Sequence, residues 1–109
     1  GVRVEGVHLN NTTVGITALR SSGLTISSCA IHNCSSGGIM LVNTQESLIS
    51  HNTIRDNGES GIYLRLGSND NIISSNIISR CSGAGIYTEG NGDNTIAHNI
   101  IENSTSDGI

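Results

Sequence analysis

The sequence predicts an all-β fold, a single-stranded parallel β-helix, which is a solenoid of four to five coils with about 23 residues each. Glycine-isoleucine pairs recur along the whole chain, and two further isoleucine series follow them in phase. The composition agrees, because the 109 residues include 14 glycines, no proline, and two tyrosines as the only aromatic residues. Aliphatic side chains, chiefly isoleucine, are left to build the interior.

Three isoleucine series define the period and share one register. The series that closes the Gly-Ile pairs steps by 23, 23, 24 and 23 residues and consists of Ile16, Ile39, Ile62, Ile86 and Ile109. The other two series are Ile26, Ile49, Ile73, Ile96 and Ile31, Ile54, Ile78, Ile101. Each apolar stretch is too short for a helix, so every coil is predicted to contain three strands. Units this small bury an apolar face only by stacking on their neighbours.

A polar series lies between the second and third isoleucine series and consists of Cys29, Asn52, Asn76 and Asn99. We expect the asparagines to face inward and to pass amide hydrogen bonds from coil to coil, which satisfies polar groups inside the solenoid. Residues 1–15 follow the period more loosely and are predicted to form a degenerate or partial first coil. Residues 1–109 are expected to be one segment of a longer β-helix, because no cap for the strand edges is visible.

Three stretches carry a family resemblance: Gly61-Ile62-Tyr63-Leu64, residues 71–78 (NIISSNII) and residues 94–101 (NTIAHNII). They resemble the right-handed parallel β-helix repeats of the pectin-lyase-like superfamily. The resemblance, together with the general hand of parallel crossovers, implies a right-handed coil. It also implies an extracellular or cell-envelope protein that binds polysaccharide or processes it as a lyase, a glycoside hydrolase or an epimerase does.

The candidate ligand-binding residues are Tyr63, Arg65, Tyr87 and Glu89. If Ile62 points inward, strand alternation turns Tyr63 and Arg65 outward, and Tyr87 and Glu89 take the same places one coil later. In the superfamily the equivalent strand usually carries the substrate. A sugar ring would lie on the tyrosines, and in a catalytic site a tyrosine would transfer a proton while Arg65 neutralises a uronate carboxylate. Alternatively, the aromatic and charged pairs only stabilise the sheet surface.

A weaker candidate is a metal site formed by Glu46, Asp70 and Asp93, which align on three successive coils. Like charges at coil spacing repel one another, and a Ca²⁺ ion bound by carboxylate and carbonyl oxygens would relieve that repulsion. The simpler interpretation is that these are solvated turn residues, since Asp favours turns.

The histidines and cysteines are not predicted to form a site. His51 and His98 lie two coils apart, about 9.6 Å at ordinary strand spacing, while His32 follows on the next strand and His8 belongs to the irregular first coil. Three imidazoles therefore do not converge. Cys34 and Cys81 are separated by the same two coils, beyond the reach of a disulfide. Cys29 is expected to face inward.

Charge and hydropathy exclude two partner classes. The net charge is −4, with five arginines and no lysine, so no basic stripe is available for nucleic acid. No apolar run approaches the length of a membrane-spanning helix.

The competing functional hypothesis is a non-catalytic structural or surface-display solenoid, or a protein-interaction scaffold. An exposed apolar strip at Leu48 and Ile72 would favour that alternative, including end-to-end or side-by-side self-association.

Overall fold

The computed structural model describes residues 2–90, 92–106 and 108–109, and within them the chain forms fourteen short strands and no helix. The strands are β1 (Arg3–Glu5), β2 (His8–Asn10), β3 (Ile16–Leu19), β4 (Thr25–Ser27), β5 (Ala30–His32), β6 (Ile39–Val42), β7 (Leu48–Ser50), β8 (Thr53–Arg55), β9 (Ile62–Arg65), β10 (Ile72–Ser74), β11 (Ile77–Ser79), β12 (Ile86–Glu89), β13 (Thr95–Ala97) and β14 (Ile100–Glu102).

Every third strand pairs with its counterpart in the next coil, and this produces three parallel sheets. Sheet A has the order β1-β4-β7-β10-β13, sheet B the order β2-β5-β8-β11-β14, and sheet C the order β3-β6-β9-β12. The chain therefore winds as a parallel β-helix of about four turns, which confirms the predicted fold class.

The isoleucine series are aligned as their spacing predicts. Ile26 pairs with Ile49 in sheet A, Ile31 pairs with Ile54 in sheet B, and Ile39 pairs with Ile62 in sheet C. All of these side chains are buried. The stacked β-branched side chains thus form one continuous core along the axis, because each coil covers the apolar edge of the coil before it.

The first coil supplies a strand to each sheet, although the sequence predicts it to be degenerate or partial. Val4 pairs with Ile26, Leu9 with Ile31, and Ile16 with Ile39. The inward residues of this coil are half-buried and pack against the core. The coil therefore differs from the others in its residue types and not in its strands.

Two asparagine ladders run inside the solenoid. In the predicted ladder, the Asn52 backbone N–H and side-chain Nδ2 both donate to Asn76 Oδ1 at 3.0 Å. Asn76 donates in the same way to Asn99. A second ladder, which the sequence analysis does not identify, includes Asn71 and Asn94: the Asn71 N–H donates to Asn94 Oδ1 at 3.0 Å. The ladders satisfy backbone donors that the turns leave unpaired.

Candidate functional site

Strands β9 and β12 place all four predicted ligand-binding residues on the outer surface of sheet C. The two strands pair in parallel, with Tyr63 opposite Tyr87 and Arg65 opposite Glu89. Ile62, which precedes Tyr63, is fully buried, so alternation turns the tyrosine outward. The sequence therefore predicted the position of this group, which we call the tyrosine face: Tyr63, Arg65, Tyr87 and Glu89.

The four side chains of the tyrosine face contact one another. The centroids of the Tyr63 and Tyr87 rings are 4.8 Å apart, with an interplanar angle of 27°. Arg65 Cζ lies 5.4 Å from the Tyr63 centroid, and Arg65 Nε lies 3.5 Å from Glu89 Oε1. The Tyr87 hydroxyl donates to Glu89 Oε2 at 3.4 Å. The result is a small cluster that combines aromatic rings with both signs of charge.

The two rings lie against each other, and this changes how a sugar would meet them. The spacing of adjacent strands is too narrow for two phenol rings to lie flat side by side, so they stack and each covers one face of the other. Tyr87 is 39% exposed, whereas Tyr63 is half-buried. A sugar ring therefore has access to Tyr87 and to the ring edges, and not to a flat surface spanning both tyrosines.

The electrostatics of the face favour hydrogen-bond donation. Burial, reinforced by the Glu89 carboxylate, raises the pKa of Tyr63 above its ordinary value. This shift disfavours the phenolate form further, in a side chain that is already protonated at neutral pH. Arg65 Nε is buried at ion-pair distance from Glu89, while the side chain as a whole is 40% exposed. The Tyr63 hydroxyl and the exposed part of the Arg65 guanidinium, not its Nε, are therefore the groups suited to bind an oxygen-rich ligand.

The comparison with known families agrees with this architecture. A family model described as "Right handed beta helix region" matches residues 1–109. The chain belongs to this right-handed β-helix family. No curated protein and no solved structure matches the chain. The match to this family model confirms the right-handed coil that the resemblance implied. Among the described residues of this β-helix, no helix has the length and hydropathy needed to cross a membrane.

The aligned acids of the β-helix lie at one repeated turn, just before sheet A. Glu46, Asp70 and Asp93 are exposed and adopt left-handed backbone conformations, with φ of 53°, 57° and 52°. The described residues contain no group of three or more His, Cys, Asp or Glu side chains that suits a metal ion. The structure thus does not bring these carboxylates together as a calcium site. The turn conformation accounts for Asp at two of the three positions, because Asp tolerates it well.

One contact of the β-helix was not predicted. His8 Nε2 and His32 Nε2 lie 2.6 Å apart on the outer surface of sheet B. His8 belongs to the irregular first coil, and no three imidazoles share a register in the sequence. The available signal was the alternation of β2 and β5, which turns both histidines outward on adjacent strands.

The cysteines of the β-helix are Cys29, Cys34 and Cys81, and all three are free and buried. Cys29 faces inward, as the sequence predicts, and its N–H donates to Asn52 Oδ1 at 3.0 Å. Burial raises the pKa of the Cys81 thiol, so this thiol stays protonated and inert at neutral pH.

Proposed function

We propose that this β-helix binds polysaccharide at the tyrosine face, in an extracellular or cell-envelope setting. The observation that carries the proposal is the contact cluster of Tyr63, Tyr87, Arg65 and Glu89 at outward positions of two adjacent coils. Aromatic rings offer an apolar surface to the C–H groups of a sugar, while charged side chains bind its hydroxyl or carboxylate groups. The similarity of these strands to pectin-lyase-like repeats supports the same ligand class.

The proposal is for binding and not for a catalytic step. The Tyr63 phenol is protonated at neutral pH and can donate a hydrogen bond to a ligand, and the direction in which its pKa is shifted makes the phenolate form harder to reach. Arg65 is the residue that selects acidic sugars, since its guanidinium offers a paired set of donors to a uronate carboxylate.

A glycan array that includes neutral and acidic polysaccharides tests the proposal. We expect wild-type binding to weaken about tenfold in Tyr87→Ala, the magnitude associated with losing one aromatic stacking contact. Arg65→Gln should weaken binding of acidic glycans selectively. The matched control is Leu19→Ala, because Leu19 is outward on β3 of the same sheet and 61% exposed.

Two results would contradict the proposal. One is a folded wild-type chain that binds no glycan on the array. The other is glycan binding that Tyr87→Ala leaves at wild-type strength, since the ligand would then contact a different surface.

A second candidate function is a scaffold that packs against protein, and exposed apolar pairs favour it. Leu48 opposes Ile72 in sheet A, and Ile77 opposes Ile100 in sheet B. Their exposed fractions are 36%, 46%, 47% and 52%. Apolar pairs of this kind suit side-by-side association. Light scattering distinguishes the two functions, since a scaffold of this kind would form an assembly that Ile72→Ser dissociates.

A further inference from the structure

The outer surface of sheet B carries a histidine pair that is separate from the tyrosine face. His8 lies on β2 and His32 on β5, and the register pairs His8 with Ala30 and His32 with Asn10. Both histidines are at outward positions, so their side chains meet diagonally across the two strands. Their ring centroids are 4.8 Å apart, and the Nε2 atoms approach to 2.6 Å.

The hydrogen bonds around the pair agree with one arrangement of its protons. With Asn33 Nδ2 as the donor, 3.1 Å from His32 Nδ1, this ring nitrogen is the acceptor. Neutral His32 then carries its proton on Nε2 and donates a hydrogen bond to His8 Nε2. The opposite orientation of the Asn33 amide would place the His32 proton on Nδ1 instead.

We propose that His8 and His32 form a two-imidazole binding site for a divalent transition-metal ion such as Zn²⁺, which binds the two Nε2 atoms once the His32 proton has moved from Nε2 to Nδ1. Imidazole nitrogen is a preferred ligand of Zn²⁺ and of its neighbours in the first transition row. With Zn–N bonds of about 2.0–2.1 Å at the tetrahedral angle that Zn²⁺ prefers, two nitrogens lie about 3.3 Å apart. The two Nε2 atoms must therefore separate by about 0.7 Å from the observed 2.6 Å, which rotation of the two side chains allows.

The remaining coordination positions are available to weak oxygen ligands. Asn10 is exposed and occupies the position of β2 that opposes His32, so an amide oxygen is available on the adjacent strand as a further weak ligand. Water fills the other positions, because the described residues contain no cluster of three or more classical metal-binding side chains. Rotation of the Asn33 amide would let its oxygen accept the Nδ1 proton of metal-bound His32, the usual orientation of a ligating imidazole.

The charges around the pair are compatible with a bound cation. Arg55 opposes His32 on β8 and would repel a metal ion, but its guanidinium is engaged by Asp56 at 2.8 Å.

Zinc titration followed by calorimetry tests this site, using the 109-residue chain and three variants. We expect one Zn²⁺ per chain in the wild type. His8→Ala and His32→Gln should each weaken that binding more than about tenfold, since each removes a direct ligand. The matched control is the double variant His51→Ala/His98→Ala, which removes two exposed turn histidines and should bind as the wild type does. Circular dichroism confirms the fold of each variant, and long-range ¹H–¹⁵N NMR locates the nitrogens that shift with Zn²⁺.

Three outcomes would overturn the assignment. These are a wild type without a saturable site up to millimolar Zn²⁺, a His8→Ala variant that retains wild-type affinity, and a control double variant that loses it. Neither the site nor its test depends on glycan binding, because His8 and His32 lie on sheet B and the tyrosine face lies on sheet C.

Discussion

Asp56 connects two coils through a charged cluster on the outer surface. Its carboxylate accepts from Arg80 Nε at 2.6 Å and from Arg55 Nη1 at 2.8 Å. The hydrogen bond from Arg80, followed by that from Arg55, lowers the Asp56 pKa to about 2. Asp56 and Arg80 lie one coil apart in the sequence, which places them side by side on adjacent coils, but the participation of the adjacent Arg55 depends on a side-chain direction that spacing does not give.

Asp56 should make the free energy of unfolding depend on pH in the acidic range. Because its pKa is lower in the folded chain than its unfolded value of about 3.9, the stabilisation is present above about pH 4 and disappears as pH falls toward 2. The difference between the thermal unfolding midpoints of the wild type and Asp56→Asn should therefore become smaller as pH falls from about 4 to about 2. Asp70→Asn is the control, since Asp70 is exposed and forms no ion pair in the described part of the chain. A difference that stays constant down to pH 2 would contradict the account.

The inward asparagines show which residues can be predicted from spacing alone. Asn52, Asn76 and Asn99 share one step with the isoleucines, and the structure confirms their ladder. Asn71 and Asn94 have a comparable spacing, yet their ladder is not predicted from the sequence. Spacing places residues at equivalent positions, but it does not say which of two adjacent turn residues points inward.

The Gly-Ile pairs are explained by the distance between neighbouring strands at the start of sheet C. A Cβ atom on Gly61 would lie 2.6 Å from Ile78 Cγ2 and 2.8 Å from the Gly85 carbonyl oxygen. Gly38 and Gly85 are confined in the same way by the following coil. Glycine recurs here because the backbone of the next coil fills the space of a side chain, and not because of an unusual φ.

Gly61→Ala should destabilise the fold by about 3 kcal/mol or more, as overpacking against a fixed backbone does. Gly92→Ala is the matched control, because a Cβ at Gly92 meets nothing closer than Asn69 Oδ1 at 4.0 Å. Urea denaturation of both variants measures the difference. Equal loss of stability in the two would show that steric crowding is not the reason for the motif.

The contact between His8 and His32 marks the limit of prediction at the level of strands. The step from Leu9 to Ile31 is one residue shorter than the common period, so the sequence alone leaves the alignment of β2 uncertain. The structure keeps Leu9 opposite Ile31 by shortening the intervening turn. The diagonal meeting of the two imidazoles then depends on strand twist and side-chain rotamers.

The whole molecule is held together by contacts between neighbouring coils. Each strand pairs only with strands one coil away, as expected for a solenoid, whose stability is a sum of coil and interface contributions. A side chain with a coil on both sides should therefore contribute more than the same side chain near the end of the described stack.

One isoleucine series allows that expectation to be measured. Ile54 is fully buried between two coils, whereas Ile101 is half-buried. We expect Ile54→Ala to lower the free energy of unfolding by about 4 kcal/mol and Ile101→Ala by about half as much, because the cavity at Ile54 has walls on every side. Chemical denaturation of the two variants gives the comparison. Equal losses would indicate that the chain unfolds as one unit without nearest-neighbour character.

The constant strand register allows a chain of this kind to change length during evolution. Successive sheet A coils take 22, 23, 24 and 23 residues, yet Val4, Ile26, Ile49, Ile73 and Ile96 stay aligned. Insertion or deletion of one residue is therefore absorbed in a turn and leaves the core unchanged. Duplication of a whole coil reproduces every interior contact. A gene of this kind can therefore gain or lose complete coils while the protein keeps the same type of core.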